Sequence, residues 1–272
     1  MILFIISVGL SVTMGLMNFV NLAHGAFAMA GGYATVTAMN GYGIPFPLAL
    51  AIAFAAVGAG SIAFERLLYR RLYRRGELDQ VLMTIGLVFM AIAAFTLFYG
   101  PQPQAAQMPA YLKGQIDLGF RTFPTYRFFM IVIGAVLIVA LWAVFERTLL
   151  GARIRAAVDN RRMAESLGID VDRLFTLTFA VGSGLAAVGG GLAVELVGVS
   201  PNFAIQYLVF FLIVVAVGGL GSIRGAFVAA LLIGVTDTAG KYLWPEGGAF
   251  FIYTITIAVL LAMPRGLYGS RV

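Results

Sequence analysis

The first 64 residues of this chain contain no Asp, Glu, Lys or Arg. Charge elsewhere is concentrated in short stretches, because residues 65–79 and 146–173 hold eleven of the eighteen Lys and Arg residues. A charge at the centre of a bilayer costs several kcal/mol, whereas a charge in a solvated loop costs almost nothing. This segregation predicts an all-α, polytopic integral membrane protein.

Composition supports the same class. Hydrophobic residues make up 61% of the 272 residues and charged residues only 11%, whereas about 25% of the residues of a soluble domain are charged. This length accommodates about eight or nine spans of about 20 residues, so residues 1–272 are predicted to form a single transmembrane domain. The basic residues flank apolar runs and form no single face, so nucleic acid is not expected as a partner.

Nine apolar runs are candidate spans. They cover residues 1–20, 22–39, 45–64, 80–99, 127–145, 174–197, 205–217, 225–240 and 249–264. Asn18 and Asn21 fall between the first two runs with no charged loop to separate them. The second run is therefore predicted either to cross fully or to be broken or re-entrant, which is tolerated where protein or water covers the irregular backbone.

The distribution of basic residues predicts the orientation. With the connections at 65–79 and 146–173 inside, fourteen of the eighteen Lys and Arg residues lie on the inner side. Four lie outside: Lys113, Arg121, Arg127 and Lys241. We therefore expect a multi-pass protein with a cytoplasmic C-terminus and an outward loop at 100–126.

Three ionisable residues interrupt the apolar runs. His24 is the only histidine, and with Asn21 and Gly25 it marks either a translocation path or a histidine satisfied by nearby backbone. Glu195 and Asp237 are predicted near the outer ends of their spans, where they either line a path or reach into water. With one histidine and no cysteine, no metal site is expected.

A glycine-rich segment follows the run at 205–217. Gly218–Gly225 predicts either a discontinuous helix, with Gly219 and Gly221 beside a polar route, or a tight turn between helices. The best approach to a phosphate-binding loop, Gly234 to Gly240-Lys241, has the wrong spacing and is followed by Tyr242. No ATP site, cofactor site or catalytic group is therefore expected in this chain, which we predict is not an enzyme.

The connection at 148–173 has amphipathic helical spacing. Ile154, Ala157 and Val158 form one apolar group, and a second group is formed by Met163, Ala164 and Leu167. Asp159 or Asn160 is placed to cap a second helix, Gly168 to end it and Asp170 to cap the next span. A small apolar patch surrounded by Arg indicates either a docking surface for another protein or a helix lying on anionic lipid.

Several segments resemble one family of membrane proteins. They are Gly15–Phe27 with Gly31-Gly32-Tyr33, Glu65-Arg66 with Tyr69-Arg70, Thr84–Leu87, Gly151–Ala156, Leu167–Ile169 and Gly218–Ser222. In this order they are similar to the permease subunits of bacterial branched-chain amino acid ABC transporters, of the LivH type. Where family members often carry Glu after the histidine-glycine pair, this chain has Ala26.

The resemblance implies a subunit of an ATP-driven importer in the bacterial inner membrane. It implies as partners a second, LivM-type permease, two ATPase subunits that bind the ATP, and a periplasmic or lipid-anchored solute-binding protein. Residues 151–168 would couple to the ATPase through Arg153, Arg155, Ala156, Asp159, Ala164, Leu167 and Gly168. Import of urea or a short-chain amide is an alternative within the family, and a proton-coupled secondary transporter is an alternative outside it.

Overall fold

The computed structural model describes residues 1–17, 19, 21–73, 75–117, 119 and 122–269, with only the backbone of Leu16, Met17 and Ala249. The helices are α1 (Ile2–Met17), α2 (His24–Val36), α3 (Phe46–Phe64), α4 (Arg70–Leu72), α5 (Glu77–Tyr99), α6 (Thr125–Arg147), α7 (Leu149–Asp159), α8 (Arg161–Ser166), α9 (Val171–Val197), α10 (Phe203–Gly218), α11 (Ile223–Leu243) and α12 (Gly248–Ala262). A small antiparallel hairpin, β1 (Gln115–Asp117) and β2 (Thr122–Pro124), lies in the 100–126 loop.

Each apolar run of the sequence contains one of these helices, which confirms the all-α, polytopic prediction. Among the described residues, five helices are long and apolar enough to cross a membrane. They are Phe46–Leu72, Glu77–Tyr99, Thr125–Arg147, Val171–Val197 and Ile223–Leu243. Apolar helices at Ile2–Gly15, Phe203–Gly218 and Phe250–Ala262 are shorter.

The connections predicted to be inside meet at one end of the bundle, which we call the basic end. There Arg70 of the first basic connection donates to Thr176 near the start of α9, at 3.2 Å. Arg224, which follows the glycine-rich segment, lies 3.8 Å from Glu146 at the end of α6. At the opposite end, Asn40 donates to the carbonyl of Ala105 at 2.9 Å. The fold therefore separates the basic connections from the 100–126 loop.

Helix α9 is the centre of the bundle, with α1, α2 and α3 packed around it. Small residues allow the close approach that the sequence predicts. A Cβ at Gly190 would lie 1.8 Å from the carbonyl oxygen of Ala28 on α2. A Cβ at Gly9 of α1 would lie 2.3 Å from the carbonyl oxygen of Gly182. The backbones of α1, α2 and α9 are thus in direct contact.

Two helices continue into π-helical turns. Residues Thr37–Gly41 extend α2 toward the opposite end, and Glu65–Tyr69 extend α3 toward the basic end. In a π-helical turn the backbone carries an extra residue, and such turns are frequent at functional sites. Both turns place polar side chains at the ends of otherwise apolar helices.

Candidate functional site

The connection between α1 and α2 is a break inside the bundle. His24, the first residue of α2, has its Nε2 atom 3.0 Å from the carbonyl oxygen of Ile6. Ile6 lies about three helical turns before the end of α1 at Met17. His24 therefore lies beside the first half of α1, so that α2 starts inside the bundle and not beyond the end of α1. This geometry favours the broken form of the predicted segment.

His24 and Asn21 are both buried in this break. A carbonyl oxygen can only accept a hydrogen bond, so Nε2 of His24 carries the proton and donates to Ile6. Nδ1 of His24 is then an acceptor with no partner among the described protein atoms. Asn21 accepts a hydrogen bond from the hydroxyl of Tyr69 at 3.1 Å, while its amide nitrogen has no partner within the described part of the chain.

Gly25 fixes how closely this break approaches α10. A Cβ at Gly25 would lie 2.7 Å from the carbonyl oxygen of Ala204. The structure thus brings together three of the predicted path residues, Asn21, His24 and Gly25. A fourth, Asn18, lies outside the described residues.

The same core holds polar side chains that the sequence reasoning did not select. Ser7 and Ser11 on α1 and Ser183 on α9 are buried, and their hydroxyl oxygens have no partner among the described residues. Buried polar atoms in a membrane protein are expensive and mark candidate functional sites. The spacing of Ser7 and Ser11, four residues apart on one helix face, is the signal that could have identified them.

Gly219 and Gly221 lie in a tight turn between α10 and α11, at the basic end. Their φ angles are +94° and +77°, in the region that favours glycine. The N–H of Gly221 donates to the carbonyl of Ser11 at 3.1 Å. Of the two forms predicted for the glycine-rich segment, the structure has the interhelical turn, which packs against α1.

The two predicted carboxylates lie away from the break. Glu195 is exposed near the end of α9. Asp237 is partly buried on α11 and pairs with Lys241 one turn later, with an oxygen–nitrogen distance of 2.7 Å. Both positions agree with the interpretation of carboxylates that reach water at the outer ends of their spans.

The basic connection at 148–173 contains two helices, α7 and α8, separated at Asn160. The Thr148 hydroxyl caps α7 by accepting from the N–H of Gly151 at 3.2 Å. The predicted caps are confirmed at Asn160, which accepts from Met163 at 3.0 Å, and at Asp170, which accepts from Arg173 at 3.0 Å. Gly168 has a φ of +80°, as its predicted role in ending α8 requires.

Burial divides the predicted apolar groups of this connection. Ile154, Ala157 and Ala164 are buried against the bundle. Val158, Met163 and Leu167 are exposed by 49%, 59% and 72%. Among the predicted coupling residues, Arg153, Arg155, Asp159, Leu167 and Gly168 are exposed, Ala156 is partly buried and Ala164 is buried. One face of α7–α8 thus anchors the segment while the other remains free.

Arg161 holds α8 to the first turn of α9. Its guanidinium donates to Glu165 at 2.9 Å and to Asp172 at 2.8 Å. The hydrogen bond to Glu165, together with the nearby charge of Asp172, raises the pKa of the Arg161 guanidinium against the opposing effect of burial. Arg155 donates to the carbonyl of Phe145 at the end of α6. Both anchors join α7–α8 to long helices of the bundle.

These features define a helical membrane protein with a polar break in its core and an anchored amphipathic segment at its basic end. The sequence profile of the branched-chain amino acid transport system permease component family matches residues 1–260. The chain belongs to this family, and it is a transport permease.

Similar proteins cover most of the chain. LivH, a high-affinity branched-chain amino acid transport system permease of Escherichia coli K12, is 28% identical over 97% of this chain and 90% of its own length. A probable branched-chain amino acid transport permease of Methanocaldococcus jannaschii, also named LivH, is 25% identical over 98% of this chain and 89% of its own length. LivM of E. coli K12 is 27% identical over 98% of this chain and 68% of its own length. No solved structure matches the chain significantly.

Proposed function

We propose that this chain is the membrane-spanning permease subunit of an ATP-driven importer for branched-chain or related small amino acids. The family and the names of the relatives support this substrate class. Residues Asn21, His24 and Gly25 would line the path, and specificity would reside mostly in a solute-binding protein. A path with few polar groups supports only weak binding of substrate, which favours its release.

The observation that carries the proposal is the exposed surface of α7–α8, which we call the docking surface and define by Arg153, Val158, Met163 and Leu167. Apolar side chains beside a charged one on a rigidly anchored helix pair are typical of a site for a partner protein. The anchors of Arg155 and Arg161 join this surface to α6 and α9. Force applied to the docking surface would therefore reach the bundle.

The remaining parts of the assembly follow from the same proposal. Two ATPase subunits would bind ATP and act on the docking surface of this permease and of a second, LivM-type permease. A periplasmic or lipid-anchored binding protein would deliver the solute near the 100–126 loop. The excess of basic residues on one side supports a cytoplasmic location for the docking surface and the C-terminus, with the permease in the inner membrane.

Uptake by the reconstituted assembly tests the function. The complex of this permease with its ATPases, second permease and binding protein is placed in proteoliposomes, and ATP-dependent uptake of labelled leucine, valine, alanine, urea and acetamide is measured. We expect uptake of a branched-chain or other small amino acid. Uptake of urea or acetamide alone would contradict the substrate class, and uptake by the permease alone under a proton gradient would contradict the mechanism.

A matched pair of variants tests the docking surface. Leu167→Asp places a carboxylate on the exposed face, and we expect the protein to insert normally but to lose binding of the ATPase subunits by about tenfold or more. Leu78→Asp in the first turn of α5 is the control, because that leucine is exposed to a similar degree, 71%, and lies outside the docking surface. Normal ATPase binding by Leu167→Asp would remove the assignment.

A further inference from the structure

A buried carboxylate lies at the basic end, where α3 meets α9. Glu65 opens the π-helical turn Glu65–Tyr69, and its side chain is almost completely buried. One carboxylate oxygen accepts from the hydroxyl of Thr176 on α9 at 2.8 Å. The other accepts from the hydroxyl of Tyr73 at 3.2 Å and from Nε of Arg70 at 3.4 Å. The proposed path and docking surface do not account for this cluster.

The cost of burying the Glu65 carboxylate indicates a role for this cluster other than stabilising the fold. A buried charge is costly unless hydrogen bonds and an opposite charge compensate it, and replacing such a pair by apolar residues is often neutral or stabilising. Arg70 also donates to the Thr176 hydroxyl at 3.2 Å. A single hydroxyl on α9 therefore contacts both members of the ion pair at the end of α3.

Toward the docking surface, the cluster continues through α9. The Thr176 hydroxyl lies 3.0 Å from the carbonyl oxygen of Asp172, one turn earlier. The carboxylate of Asp172 accepts from Arg161 of α8 at 2.8 Å. The segment that would bind the ATPase is thus linked through Arg161 to Asp172, one turn of α9 before Thr176, which hydrogen-bonds to Glu65.

In the other direction, the cluster reaches the break between α1 and α2. Tyr69 closes the π-helical turn that Glu65 opens, and its hydroxyl donates to Asn21 at 3.1 Å. The ring of Tyr69 also packs against Phe19 and Phe179, with centroid distances of 5.2 and 4.8 Å. The turn Glu65–Tyr69 therefore contacts both α9 at the basic end and the connection that leads to His24.

We propose that Glu65 and Thr176 are positioning residues that transmit displacement of α8 to the break before His24. This inference rests on the proposed function, because it assumes that an ATPase moves α7–α8. The Glu65–Thr176 contact makes the π-helical turn and the start of α9 move together. When α8 moves with the first turn of α9, Tyr69 moves Asn21 and so changes the path at His24.

Two substitutions of one residue separate the hydroxyl from the shape of the side chain. Thr176→Val keeps the shape and removes the hydroxyl, whereas Thr176→Ser keeps the hydroxyl and removes a methyl group. In the complete complex in proteoliposomes, we expect Thr176→Val to lower solute transported per ATP hydrolysed by about tenfold, with ATP hydrolysis itself retained. Thr176→Ser is expected to stay close to wild type. Thr178→Val is the matched control, because Thr178 is an equally buried threonine of α9 that makes none of these contacts.

A spectroscopic measurement follows the break directly. The chain contains no cysteine, so Leu22→Cys carries one spin label in the connection before His24. We expect ATP with vanadate to change the label spectrum in the otherwise wild-type permease and with Thr178→Val, but not with Thr176→Val. Tight coupling and a normal spectral change in Thr176→Val, or a loss of coupling in Thr176→Ser equal to that in Thr176→Val, would overturn the inference. If the wild-type complex shows no ATP-dependent uptake, the proposed function fails instead.

Discussion

Helices α9 and α5 have similar lengths, 27 and 23 residues, but very different surroundings. Within an apolar segment of 18 residues in each helix, 78% of the residues of α9 are buried, compared with 11% of those of α5. Yet α5 is the more apolar of the two helices. The more apolar of these two helices is therefore the less buried one.

The reason is that lipid chains are as apolar as a leucine side chain, so hydrophobicity does not draw one transmembrane helix to another. Close packing does, and it needs small residues that let backbones meet. Helix α9 has glycines in contact with the backbones of α1 and α2. Helix α5 presents Leu82, Phe89 and Leu97 outward. Between these two helices, the higher hydropathy thus marks a surface for lipid or another apolar partner, and the small residues mark the core.

The largest difference between the two helices is expected when one glycine of each is replaced by valine. Gly190→Val would drive the side chain into the backbone of α2 and cost about 3 kcal/mol or more. Gly86→Val on α5 meets no atom within 4 Å of its Cβ, so only the helix propensity changes, by less than about 1 kcal/mol. The thermal stability of both variants in detergent checks the prediction, and equal losses would break the comparison.

A charge in the middle of α5 sharpens the comparison from the other side. Phe89 is 58% exposed, and if it faces lipid, Phe89→Lys should cost about 2.5–3.5 kcal/mol on insertion. Phe89→Leu is the control and should insert normally. Insertion is measured by the fraction of molecules that cross the bilayer in a glycosylation-tag assay. Unimpaired insertion of Phe89→Lys would show that this face of α5 is not in contact with hydrocarbon.

Smaller effects are expected when single polar side chains are replaced. The loss should be larger for a residue of the core than for one near the surface. His24→Phe keeps a buried ring but removes the hydrogen bond to Ile6, so stability should fall by about 1 kcal/mol and uptake with it. Asp237→Asn breaks a partly exposed pair with Lys241, which contributes less than about 1 kcal/mol. Its uptake should remain normal. Loss of uptake in Asp237→Asn alone would favour a proton path instead.

The sequence predicts the features of this protein that depend on neighbouring residues. Hydropathy locates the apolar helices, and the caps at Asn160 and Asp170 follow from spacing because each bond spans three residues. The Glu65–Thr176 contact joins residues 111 positions apart, and no local pattern encodes such a partner. For the same reason the sequence did not show that Ala164 packs inward while Met163 points outward, since both suit an amphipathic helix.

The single-domain organisation and the roles of the predicted path residues remain predictions. Asn21, His24 and Gly25 meet in the break, which supports a common role for them. Four other predicted path residues lie elsewhere: Glu195, Gly219, Gly221 and Asp237. Their positions depend on how the helices pack, which the local sequence does not encode. A carboxylate near a helix end has the same local sequence whether it lines a path or reaches water. The same holds for a glycine before a helix, which either lines a path or forms a turn.

The proposed importer requires that the α7–α8 docking surface receive force from an ATPase in the cytoplasm. Because the chain has no cysteine, Met163→Cys provides one reactive thiol on this surface. In intact membranes containing the complete complex, we expect the thiol to react with a membrane-impermeant maleimide only from the cytoplasmic side and to form a crosslink to an ATPase subunit. Labelling from the opposite side, or a crosslink to the solute-binding protein, would contradict the account.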